Sequence, residues 1–138
     1  MNEQPSGRFT RREDSEPAQR RGVAETRASF IDCLDDIGSY LEEARRGGRR
    51  GFEPRTARYA AASLAVIRAA ALFENDDFDG FLRDIPEMTR RGITSTRNIV
   101  AHAGYATMDH VVFWQTIDVH LPALLVRMRG AVEPSTDI

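Results

Sequence analysis

A chain of 138 residues with 41% hydrophobic content has room for one domain and one core. Its formal net charge of −2 excludes a global basic field, so any nucleic-acid site must be a local patch. The single cysteine, Cys33, excludes an internal disulfide, and neither a CxxC nor a Cys/His metal spacing occurs.

All 19 basic residues are arginine, a bias that a GC-rich genome explains better than phosphate binding. No apolar run approaches the ~20 residues of a membrane span, and the N-terminus lacks an apolar signal core. The expectation is a soluble, cytoplasmic protein.

Residues 1–22 carry two prolines, many charges and one aromatic, too little apolar surface to offset ordering entropy. They read as a disordered, arginine-rich tail. A helical domain is expected over residues 23–130, with a frayed tail over 131–138. The first helix should run from Val23 to Arg46, because Phe30, Ile31, Leu34, Ile37 and Leu41 recur at three- and four-residue steps. Asp32, Asp35, Asp36, Glu42 and Glu43 form its solvated face, and Cys33 suits a core or interface filler better than a nucleophile. Gly47-Gly48 should end this helix after Arg45 and Arg46.

Pro54 then reads as the opening of a second helix through Phe73. Its alanines predict close packing against more than one neighbour, with Arg55 and Arg58 facing solvent or phosphate. Residues 74–80 (ENDDFDG) form an acidic loop without the alternation or distal glutamate of a calcium site. A third helix is expected from Pro86 to Ala103, interrupted at Gly92, with Thr94, Ser95 or Thr96 as caps of a restarted helix. In that case backbone N–H groups at Arg97 and Asn98 would add to an anion site. Asp109 should cap the last helix, where Val111, Trp114, Ile117, Leu121, Leu124, Leu125 and Met128 form the apolar stripe and Pro122 forces a break. No stretch alternates like a strand, so the fold class is all-α: four main helices, the last one broken.

The chemistry concentrates in Arg97-Asn98-Ile99-Val100-Ala101-His102-Ala103-Gly104-Tyr105. On a helix, Asn98 and His102 share a face, and the long Arg97 side chain reaches it. Arginine binds phosphate through two donors, and histidine exchanges a proton near neutral pH. An RNA phosphodiester suits such a set. The bland alternative makes His102 a core histidine and pairs Arg97 with a carboxylate such as Asp109. His110 and His120 lie outside the motif and read as surface or interface groups, and Trp114 as core or interface.

Arg97-Asn98-x-x-x-His102, then Gly104-Tyr105, an acidic residue, Trp114 and Leu121-Pro122, resembles the HepT-like branch of the HEPN superfamily over residues 28–128. The resemblance implies a HEPN-type helical bundle, a two-fold homodimer with the Arg…His motifs facing across the interface, and metal-independent RNA cleavage by a toxin. It implies Arg97, Asn98 and His102 as the catalytic residues, with no cofactor and no metal. It also implies an MNT-type nucleotidyltransferase as the antitoxin partner, which adds AMP to Tyr105. A catalytically silent module that binds RNA or that partner, or a structural dimer, are the alternatives.

Overall fold

The computed structural model describes residues 15–103 and 107–133. They form five α-helical segments, one 3₁₀ segment and two π-helical turns, with no strand among the described residues. No helix among them is long and apolar enough to cross a membrane.

Helix α1 spans Ser15–Arg45. It begins ahead of the expected Val23, so residues 15–22 are helical rather than part of a disordered tail. Extending an established helix adds one backbone bond per residue fixed, which is far easier than nucleating one. Thr26 Oγ1 donates to the Gly22 carbonyl at 2.8 Å within this turn. Residues 1–14 lie outside the described residues. Further on, Phe30, Leu34, Ile37, Leu41 and Ala44 are buried at three- and four-residue spacing and form the inward stripe.

After α1 the chain turns through Gly47, Gly48 and Gly51, with φ of 84°, 79° and 81°. These left-handed values are where glycine lacks the Cβ penalty. Phe52 then plugs the turn into the core at 1% exposure. Helix α2 is Ala57–Phe73 and starts at Thr56, not at Pro54: the Thr56 side chain accepts from the Tyr59 N–H at 3.2 Å. Alanine on several sides lets α2 lie close to α1 along its length and to α3 (Glu87–Asn98) elsewhere.

A 3₁₀ segment, Asp76–Phe81, joins α2 to α3 and carries Phe78 into the core. Phe30 meets Phe78 edge-on at 5.0 Å and Phe81 at 4.8 Å, which ties this connection to α1. Pro86 caps α3 with an extended backbone (ψ 148°).

Gly92 does not interrupt α3, and the break falls later, in a π-helical turn over Ile99–Ala103. Thr96 caps nothing; its hydroxyl donates back to the Gly92 carbonyl at 2.9 Å. Asp109 caps α4 (His110–Gln115) by accepting from the Val111 and Val112 N–H groups at 3.0 and 3.1 Å. A second π turn, Thr116–His120, leads into α5 (Leu121–Val132), with Pro122 in its first turn. Proline lacks an N–H and its ring collides with the carbonyl four residues back. The wider π turn immediately upstream is where the backbone absorbs both defects. Helix α5 reaches Val132, itself buried, so the expected fraying does not extend to residues 131–132.

Helix α5 packs along α1. A Cβ at Gly38 would meet Leu125 Cδ2 at 3.5 Å, and Arg129 pairs with Asp35 at 3.0 Å beside that contact.

Candidate functional site

Arg97 and Asn98 lie in the last turn of α3, at its carbonyl end. They are not near a helix start, so no free backbone N–H groups join an anion site here. The negative end of the helix dipole instead favours the arginine itself.

The Arg97 Nε–H donates to Asn98 Oδ1 at 2.9 Å. Its Nη2–H donates to Glu74 Oε2 at 3.0 Å, an ion pair in which the Arg97 side chain is 22% exposed. Glu74 is the C-cap residue of α2. The carboxylate that Arg97 takes is therefore Glu74, brought from α2 and the acidic loop, and not Asp109, whose oxygen is spent on capping α4. Within the planar guanidinium, Nε and Nη2 share one edge. Both acceptors sit on that edge, and Nη1 has no acceptor among the described residues.

His102 lies exposed in the π turn. A π turn closes on i→i+5 bonds, so each residue advances by fewer degrees than the ~100° of an α-helix. That winding brings residues four and five apart nearer to one face than an α-helix does. Ile99 and Val100 pack against the core from the same turn and hold it. Among the described residues none hydrogen-bonds the His102 ring. The structure thus joins Arg97 to Asn98 and to Glu74, and leaves His102 open to solvent. Tyr105 lies outside the described residues.

Two histidine and arginine readings change. His110 is half-buried, and its Nδ1 is 2.6 Å from the hydroxyl of Tyr59, which is fully buried on α2. The pair pins the start of α4 to the first turn of α2. Arg58 is half-buried, with its guanidinium turned onto backbone carbonyls. Its Nε–H donates to the Ala44 carbonyl at 3.0 Å and its Nη1–H to Arg50 at 2.7 Å, while Nη2 donates to Gly48. These are the open carbonyls at the end of α1 and in the glycine turn, so Arg58 caps α1 from outside. Its guanidinium also lies 5.9 Å from the Trp114 ring centre and 5.7 Å from that of Phe52.

Cys33 is half-buried, and burial, reinforced by the Asp36 carboxylate, pushes its thiol up from the ordinary range. That is the opposite of an activated nucleophile. No group of three or more His, Cys, Asp or Glu residues able to hold a metal occurs among the described residues.

Beside the motif, a groove of about 770 Å³ runs between α3 and the α4–α5 rod, lined by Met88, Ile93, Thr96, Val112, Val119 and Leu124 among others. Met88 is 83% exposed, Val112 52% and Val119 54%. Large apolar side chains this exposed, grouped on one face, mark an interaction surface.

No known protein family, curated protein or solved structure matches the chain.

Proposed function

We propose that this chain is a HepT-like endoribonuclease of the HEPN type, the toxin of a HEPN/MNT pair, acting as a two-fold dimer. The observation that carries the reading is the Arg97 guanidinium, held by Asn98 and Glu74 one π turn before an exposed His102. A fixed cation and an accessible imidazole, five residues apart on one helical segment, are the groups that phosphodiester cleavage by a neighbouring hydroxyl requires.

In this mechanism His102 takes the proton of a ribose 2′-hydroxyl. The 2′-oxygen attacks phosphorus, the bond to the 5′-oxygen breaks, and that oxygen leaves with a proton from the second copy's imidazole. Arg97 stabilises the charge on the phosphorus oxygens as they crowd. The products are a 2′,3′-cyclic phosphate and a 5′-hydroxyl. RNA is the substrate because DNA lacks the nucleophile. The apolar groove beside the motif, with Met88, Val112 and Val119, supports the dimer. The MNT-type nucleotidyltransferase silences the toxin by adding AMP to Tyr105, three residues after His102 in the chain, which adds negative charge and bulk.

A second reading, a silent HEPN module that binds RNA or the nucleotidyltransferase, draws on one observation. The His102 ring has no orienting hydrogen bond among the described residues, where a working base has one as a rule.

The test is cleavage of a mixed RNA substrate in EDTA by wild type, His102→Ala and Arg97→Ala. Cleavage by wild type alone, leaving cyclic phosphate ends, is the expected result. No cleavage by any of the three, with RNA or nucleotidyltransferase binding retained in His102→Ala, selects the silent module.

A further inference from the structure

The ion pair between Arg97 and Glu74 is a polar contact that reaches the motif from outside α3, and the two residues are 23 positions apart in sequence. Electrostatics alone makes it an odd contact. A carboxylate at the C-cap of α2 sits against the negative end of that helix's dipole, and α2 has no basic residue in its last turn. An exposed ion pair contributes little to stability, and Glu74 is 56% exposed. Beside a phosphate-binding arginine, a carboxylate also weakens the attraction for an anion. The pair is thus poorly explained as a stabiliser of the fold.

Its geometry supplies a reason. A guanidinium on a flexible stem can present any of its edges, and a bidentate grip on an oxyanion needs one edge in one orientation. Asn98 Oδ1 at 2.9 Å and Glu74 Oε2 at 3.0 Å take Nε and Nη2 from two different helices. Asn98 alone, the immediate chain neighbour, fixes the arginine only relative to its own helix. Glu74 fixes it relative to α2. With the side edge held, the Nη1/Nη2 end edge is the one left for two oxygens of a ligand.

We propose that Glu74 is a positioning residue: with Asn98 it locks the side edge of Arg97, so that the end edge is presented to two oxygens of an RNA phosphodiester. The identity of the oxyanion rests on the ribonuclease reading above; the lock does not. Glu74 touches no reacting atom, and its effect passes through Arg97.

The test uses the full chain as wild type, Glu74→Ala and Glu74→Gln, with two readouts. The first is the Arg97 Nε–H signal in nitrogen-15 NMR, with and without an oligoribonucleotide carrying a 2′-deoxy sugar at each cleavable position. Wild type should show a slowly exchanging Nε–H that persists when the oligonucleotide binds, and in Glu74→Ala it should exchange faster. The second is steady-state cleavage of the all-ribo oligonucleotide. Glu74→Ala should lower kcat by about tenfold, a small angular misplacement of the arginine being enough, with KM unchanged or lower. Glu74→Gln, whose amide oxygen still accepts from Nη2, should recover most of kcat. An Nε–H signal unmoved by Glu74→Ala, or a kcat at or above wild type, overturns the proposal. If wild type cleaves nothing, the ribonuclease reading falls by itself, and the NMR arm still decides whether Glu74 locks the arginine.

Discussion

Arg58 and Arg97 are both arginines in contact with a helix end, and they do opposite things. Arg58 spends its donors on three carbonyls at the end of α1 and in the glycine turn. Arg97 has donors to spare. Arg58→Ala leaves those carbonyls short of partners and strips a cation from Phe52 and Trp114, so it should destabilise the fold by about 2–3 kcal/mol without touching the site. Urea unfolding of wild type and variant measures this as a shift in midpoint at constant slope. The sequence placed Arg58 near a helix start, which is correct, and could not show its partners. Ala44, Gly48 and Arg50 become its neighbours only because the glycine turn folds back on α2. Glu74 was hidden for the same reason. An ion pair between residues 23 apart has no local spacing to announce it.

At the scale of elements, what local chemistry controls was legible. The inward stripe of α1, the glycine stop after Arg45, the Asp109 cap and the break at Pro122 all follow from periodicity or from one residue's backbone preference. The π turns were not legible, because a π turn has no composition of its own; it arises where the packing on both sides demands one residue more than an α-helix holds. Ile99 and Val100 must meet the core while α3 has already set its own register on Ile93. Deleting the exposed Ala101 should therefore return the segment to α-helical winding. The expected result is a folded protein by circular dichroism in which the turn between Arg97 and His102 is wound differently. Under the proposed ribonuclease reading, cleavage should fall by about a hundredfold or more. Retained cleavage would show that the wide turn is dispensable.

For the whole molecule, the two ends of α2 carry different tasks. Its first turn anchors α4 through Tyr59 and His110, and its C-cap carries the carboxylate that meets Arg97 of α3. The apolar groove lies between α3 and the α4–α5 rod. If that face closes a dimer, Val112→Arg places a charge into it and should weaken self-association at least about tenfold, since an unpaired charge is costly to bury. Sedimentation across a concentration series checks this, and an unchanged dissociation constant moves the interface elsewhere. Because Val112 is half exposed in the single chain, thermal unfolding of the isolated subunit should change little.

The aromatic joint around Phe52 has an optical consequence. Trp114 is the chain's one tryptophan, and it sits 5.0 Å from Phe52, the residue that seats the glycine turn. Indole emission therefore reports that single joint, while far-ultraviolet dichroism averages over every helix. Recording both during rapid dilution from denaturant separates two clocks in one sample. Superimposable traces mean that the turn seats in the same cooperative step that winds the helices. A lag in the emission dates the seating of the turn as its own event.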